Sequence, residues 1–429
     1  MPRSVCILAL LFGVPLAASA SDWWQFGGPT GDGHAEKSKL PTEWTATKNI
    51  TWRTAVEGLG WSSPVVVDGK MYVTTAVPQG EFKDPLKASQ SLRTLCLDAK
   101  TGSILWNVEV FQQDVAKAPN IHGKNSHASP TPVVEGDKVY VHFGHMGTAC
   151  LNTKDGSPVW TNQTLPYKPV HGNGGTLLLL PDKLVYSIDG TDKQAVIALG
   201  KADGKVIWDV PRDAKPARPF SFCTPLLIKV NGQEQIISVG SDVAMALEPK
   251  TGKEIWRVKF SGYSIVPKPL FANGLLYVCT GYDNAALMAI RVDDKSKGDV
   301  TGTHVAWTIK KETMPRNVVP ILVGDDLYTV SDGGLLSCIE AKTGKVRWDE
   351  NLAKPHTSSP VYAGGLIYLL AEDGTATVFK PGKEYDPVAT NKLTEPGPAA
   401  KFLCLSSYAV DGDALILRTA KAIYRIEKK

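Results

Sequence analysis

The sequence predicts an all-β fold: an eight-bladed β-propeller with four-stranded antiparallel blades, closed by an N-terminal strand. Three observations predict it. A turn-plus-tryptophan string recurs along the chain, and a hairpin string alternates with it. The last copy lacks its fourth strand, while a spare strand of that kind stands near the front.

The elements follow in chain order. The chain has 429 residues, 43% apolar and 21% charged, with a formal net charge of +4. That is ordinary for a soluble globular protein with a sizeable core. No dense Lys/Arg run argues for nucleic acid or an anionic membrane surface. Residues 1–20 read as an export signal: MPR supplies the positive end, SVCILALLFGVPL the apolar stretch and AASA an A-x-A pattern, with cleavage expected after Ala20. The stretch is too short to span a bilayer. Cys6 lies inside it, not at the cleavage point, which argues against a lipid anchor. The expected product is periplasmic or secreted, without a transmembrane segment, and monomeric. Residues 21–48 are rich in Gly, Pro and Trp and have no period. They read as an extended strap, with Trp23, Trp24 and Trp44 packed on the propeller; an exposed aromatic docking patch is the alternative.

Residues 49–429 are expected to form the propeller. An apolar strand, a tight turn and a second apolar strand recur eight times, from SSPVVVDGKMYV (Ser62–Val73) to CLSSYAVDGDALIL (Cys404–Leu417); a proline leads six of the copies, and GTLLLLPDKLVYSI (Gly175–Ile188) is a variant without it. Asp-Gly, Gly-Asp and Asn-Gly pairs mark these as hairpins, strands A and B. Strand C follows, as in TLCLDA and LSCIEA. A Thr-Gly-type turn then leads into strand D, as in DAKTGSILW and EAKTGKVRW. Its tryptophans, Trp106, Trp160, Trp208, Trp256, Trp307 and Trp348, recur every ~40–55 residues, the period of one blade. The seventh unit has VATNKL in place of the tryptophan strand. The eighth ends after AIYRIEK, so NITWRTAV, with Trp52, is expected to complete it and remove an open sheet edge. A large flat residue at one place in each outer strand can fill the wedge between neighbouring blades. Trp52 and the six other tryptophans are therefore read as structural docking residues.

Six cysteines follow the export signal. Aligned on the turn after strand C, Cys96, Cys150 and Cys338 fall where other blades have Ala198, Ala246 and Ala289. Cysteine there acts as a small apolar residue, and equivalent places in different blades are too far apart to bridge. Free thiols are expected.

The repeat around LDAKTGSILW resembles that of the quinoprotein-type, PQQ-like eight-bladed propellers, over essentially the whole chain from Trp23. The opening DWWQFGGPTGDG with LPTEW, NITWRT and GWSSPVV is similar to an exported bacterial group of such propellers without assigned activity. The resemblance implies two kinds of relative. Some are dehydrogenases that hold pyrroloquinoline quinone (PQQ) on the axis, with Ca²⁺ bound by carboxylate and amide oxygens, an aspartate base and a disulfide between adjacent cysteines. Others are non-enzymatic, including an outer-membrane assembly factor that binds proteins. This chain has no Cys-Cys pair and no C-x-x-C-H motif, and no catalytic residue of the dehydrogenases finds a matching position.

In this fold the A–B and C–D turns share one face, and the longer D–A and B–C loops share the other, where function is expected. The ligand-binding candidates on that axial face are Trp61, Asn125, His127, His171, Asn173, Tyr263, Arg316 and Asn317. Loop histidines from separate blades lack metal-ligand spacing, so no metal site is expected. Asp189, Asp283 and Asp332 lie in turns, and plain turn chemistry is preferred over calcium. Trp61, Tyr263 and Phe222 either stack a flat ligand or sugar or plug the channel. The expected function is a non-catalytic exported scaffold that binds a protein or polysaccharide partner on the D–A/B–C face, without cofactor. The alternative is a PQQ- and Ca²⁺-dependent oxidoreductase. A carbohydrate-binding or carbohydrate-processing propeller is a third class.

Overall fold

Each hairpin string and the tryptophan string after it fold into one antiparallel sheet. The computed structural model describes residues 22–117, 120–397 and 402–429, so the segment read as an export signal lies outside the described residues. Blade 1 is Val65–Val67, Lys70–Gln79, Ser89–Asp98 and Ile104–Gln113, strands A to D from the axis outward. Blades 2 to 7 repeat it over residues 133–162, 178–211, 226–259, 270–310, 321–351 and 361–392. Blade 8 takes strands A to C from Ala409–Asp411, Ala414–Arg418 and Ala422–Ile426. Its D strand is Ile50–Ala55, paired antiparallel to Ala422–Ile426, so the ring closes between the two ends of the propeller sequence. The chain is an all-β, eight-bladed propeller.

The cross-strand register explains the cysteines. Trp106 pairs with Cys96, Trp160 with Cys150 and Trp348 with Cys338, while Trp208, Trp256 and Trp307 pair with Ala198, Ala246 and Ala289. A small residue on strand C leaves room beside the indole on strand D. All six described cysteines are buried and free.

The seams between blades repeat one contact. The indole N–H of Trp52 donates to Ala99 O of blade 1, that of Trp106 to Thr153 O of blade 2, and that of Trp160 to Lys201 O of blade 3. Trp208, Trp307 and Trp348 do the same to Pro249, Ala341 and Gly382. Each ring of the first five of these also lies over a turn glycine of the next blade, such as Gly204 under Trp160. Trp256 differs. Its N–H bonds Gln235, and Gly298–Asp299, from the long C–D connection of blade 5, adds a parallel strand along Trp256–Arg257. That extra strand leaves Trp256 fully buried.

The front segment crosses the axis. Trp23 exchanges backbone hydrogen bonds with Val66 of blade 1, and Trp24 O accepts from Val134 N of blade 2. Gly31 O accepts from Lys268 of blade 5, Gly33 O from Tyr362 N of blade 7, and His34 bonds Leu322 O of blade 6. A segment that touches inner strands on opposite sides of a ring must fill its channel. It leaves past Leu40 and Trp44, which bond Tyr368 and Asn391 of blade 7. Trp23 and Trp44 are buried rather than displayed. The axis is therefore plugged by the strap, and the loop aromatics are left to line what lies above it.

Candidate functional site

The D–A loops converge over the plug and enclose a cup of about 350 Å³, to which all eight contribute. Its wall has two layers, because the chain enters strand A extended and every second side chain faces the axis. The upper layer includes Trp61, Phe222, Val266, Asn317, Thr357 and Leu405. The lower layer holds the residue that precedes each strand-A proline or its equivalent: Ser63, Thr131, Thr176, Thr224, Val319, Ser359 and Ser407. Phe26 of the strap closes the bottom.

The lower layer is wired from blade to blade. Ser63 N donates to Thr131 Oγ1 at 3.0 Å, Thr131 N to Thr176 Oγ1 at 2.9 Å, and Thr176 N to Thr224 Oγ1 at 3.0 Å. Val319 N donates to Ser359 Oγ, Ser359 N to Ser407 Oγ, and Ser407 N back to Ser63 Oγ, at 2.9–3.1 Å. The run breaks where blades 5 and 6 carry Lys268 and Val319 in place of a hydroxyl residue. Lys268 is buried, donates to Gly31 O at 3.0 Å, and has its pKa pushed down to about 8 by burial.

The mouth is ringed by paired charges. Lys124 reaches from blade 2's entry loop to Glu372 of blade 7 at 2.7 Å, and Glu372 also accepts from Thr357. Arg218 lies 4.6 Å over the Tyr263 ring and 3.1 Å from Asp283, to which the Tyr263 hydroxyl donates. His122 and His171 meet edge to face at 5.5 Å, and burial followed by the neighbouring His122 lowers the His171 pKa.

Of the sequence candidates, Trp61, Asn125, His171, Tyr263 and Asn317 line the cup. Three do not. His127 is buried between Gln113 and the Leu86 carbonyl, where it ties the long blade 1 hairpin to the next loop. Asn173 points behind the wall, accepting from Tyr167 and contacting His145. Arg316 stacks on Tyr282 at 5.3 Å, while its backbone N–H bonds Asp332. The hydroxyl layer, Lys124 and Arg218 stand outside the candidate set. The layer has a sequence signal, the Ser or Thr before the strand-A proline. It emerges only when the eight entries are aligned there instead of on the conspicuous aromatics.

The residues do not fit a calcium–quinone pair. Among the described residues no Asp or Glu lines the cup. Asp189 is bound by Arg212 through two bonds of 2.6 and 2.9 Å, Asp283 by Arg218 and Tyr263, and Asp332 by Asn317 and the Arg316 N–H. Each carboxylate already has its partners, and calcium needs six to eight oxygens. Among the described residues no group of three or more His, Cys, Asp or Glu could hold a metal.

A family model described as "Outer membrane protein assembly factor BamB" matches residues 39–164, 87–218, 192–319 and 299–425. A protein of that name from Moranella endobia (strain PCIT) is 24% identical over 295 residues, 67% of each chain. One from Burkholderia pseudomallei (strain K96243) is 25% identical over 63% of this chain and 65% of its own. The chain thus spans about two thirds of the length of these relatives. Among solved structures, BamB from Moraxella catarrhalis aligns with a TM-score of 0.58 at 12% identity, over 89% of this chain and 98% of its own. A europium-containing methanol dehydrogenase aligns with a TM-score of 0.51 at 15% identity, over 94% and 91%. At these identities the structural matches speak for the fold alone. The family model runs almost unbroken from the strap to the last blade, and the chain belongs to the PQQ-like repeat family described as outer membrane protein assembly factor BamB.

Proposed function

We propose that this chain is a non-catalytic, exported propeller that acts in the periplasm as a protein-binding scaffold and docks its partner on the D–A/B–C face. One observation carries the reading: all eight D–A loops contribute to one concave site with a charged and aromatic rim. The opposite end of the axis is taken by the strap. The names of the relatives, which are assembly factors, favour a protein over a polysaccharide as partner. A quinone-dependent oxidoreductase would need acidic oxygens in the cup, and the wall supplies hydroxyls, aromatics and amides instead.

The test is capture from the host's own envelope extract. Arg218→Glu and Tyr282→Ala alter the rim without touching the seams, whereas Lys154→Glu sits on the opposite face as a control. Partners held by wild type and by Lys154→Glu are expected to be lost from the two rim variants. A partner list unchanged by the rim variants would move docking off this face. Retention of PQQ with calcium at micromolar concentration, with dye reduction by an alcohol, would replace the scaffold reading with the oxidoreductase one.

A further inference from the structure

The hydroxyl layer of the cup is one-sided in its hydrogen bonding. Each of Ser63, Thr131, Thr176, Thr224, Ser359 and Ser407 accepts one backbone N–H from a neighbouring blade, and among the described residues none gives its own proton to a protein acceptor. Ser63, Thr131 and Thr176 are no more than 4% exposed, so the cup is the outlet for those protons. A buried hydroxyl that has accepted one N–H and given no proton still has that proton to place. The charges lean the same way. The cations that line the cup are Lys124 and Arg218, and among the described residues no carboxylate lines it. Lys268, at the layer's fifth place, lies outside the lining, with its ammonium buried on the Gly31 carbonyl of the strap.

Hydroxyl donors meet there without a protein acceptor, with the Lys268 ammonium beside the layer on the strap side. We propose that the lower layer binds an oxyanion, a carboxylate or a phosphate, carried by a small ligand whose apolar body lies between Trp61 and Phe222. Carboxylates and phosphates are pure acceptors when ionised, and hydrogen bonds to them are about twice as strong as neutral ones. A neutral sugar brings protons of its own, which this layer can take only on the hydroxyls' second lone pairs, whereas an ionised oxyanion brings none. The site lies inside the cup and stands whether or not a protein docks on the rim.

The experiment is calorimetric titration of the full-length mature protein at pH 7, in a buffer free of phosphate and carboxylate. The probes are benzoate, benzamide as its neutral counterpart, inorganic phosphate and glucose. Benzoate or phosphate is expected to bind, with benzamide and glucose at least about tenfold weaker. Tighter benzoate assigns the site to a carboxylate and tighter phosphate to a phosphate. Thr176→Val is expected to weaken the oxyanion about tenfold, and Thr176→Ser to restore it. Because Thr176→Val also strips an acceptor from the Thr131 N–H, Lys268→Met serves as a second variant that leaves every hydroxyl in place. It is expected to weaken the oxyanion several-fold and leave benzamide unchanged. The proposal is overturned if neither oxyanion binds at millimolar concentration to folded protein. Benzamide or glucose binding as tightly as benzoate overturns it too, as does a folded Lys268→Met protein that binds the oxyanion as wild type does.

Discussion

Lys268 holds a charge where the fold alone would not place one. Its counterparts in six other blades are Ser or Thr, and its ammonium is buried against the strap. Burial lowers its pKa to about 8, against roughly 10.4 in an unfolded chain. Below pH 8 the group is protonated in both states, and the folded state bears the whole desolvation cost. Between about 8 and 10.4 the unfolded chain binds more protons, so this group's contribution makes stability rise with pH. Lys268→Met is therefore expected to be more stable than wild type at pH 7, by about 1–3 kcal/mol, with the gap closing towards pH 10. Urea unfolding at the two pH values reads this directly. A variant less stable at pH 7 would mean that the tie to Gly31 outweighs desolvation. Asp189 shows the opposite arrangement. Burial raises its pKa, Arg212 holds it with two bonds, and Arg212 also donates to Ser187 and Ser238. Asp189→Asn would leave a buried guanidinium without its counter-charge and is expected to cost about 3–5 kcal/mol in chemical denaturation.

At the scale of the element, the recurring Thr-Gly-x-x-x-Trp string is two halves of one contact. The tryptophan of one blade lies on the glycine of the next. Gly204 has φ +69°, and a Cβ there would come within 2.4 Å of the Trp160 ring. Gly69 has φ +70°, with nothing within 4 Å of such a Cβ. Both glycines accept a left-handed backbone at little cost, and alanine at either adds about 1–2 kcal/mol. Gly204→Ala must also push an indole out of its seam. It is expected to lower thermal stability by clearly more than Gly69→Ala does, and equal losses would remove the ring contact from the account. This level was legible in the sequence because repetition exposes it: the meander, the Cys-for-Ala exchange opposite the indoles and the completing role of Ile50–Ala55 all follow from alignment. The cup was legible only in part. Trp61, His171 and Tyr263 stood out by type. His127, Asn173 and Arg316 look alike in one dimension but do not line the cup, since a loop's direction is set by contacts with other residues. Lys124 is the converse case, an ordinary lysine that matters because its loop crosses to Glu372.

The whole molecule depends on its front segment twice, and the two uses are separable. Trp23 to His34 occupy the channel through bonds to five blades, whereas Ile50–Ala55 supplies the outer strand of blade 8. A propeller keeps its sheet edges short and covered only while its last blade is complete. Removing residues 22–48 leaves that blade whole. The shortened protein is expected to keep its strand circular-dichroism signal, to unfold at lower temperature and to lose the bottom of the cup, where Phe26 sits. Removing residues 22–55 also takes Trp52 from the seam with blade 1 and exposes the edge of Ala422–Ile426. That protein is expected to aggregate or to lose hydrogen-exchange protection across blades 8 and 1 while blades 3 to 5 retain theirs. The pair of truncations distinguishes a plug from a clasp. If the shorter deletion already abolishes protection in blades 8 and 1, then the strap and not the strand holds the ring closed. If the longer one leaves them protected, three strands suffice for blade 8, and closure has to be sought in the strap's contacts with blade 7.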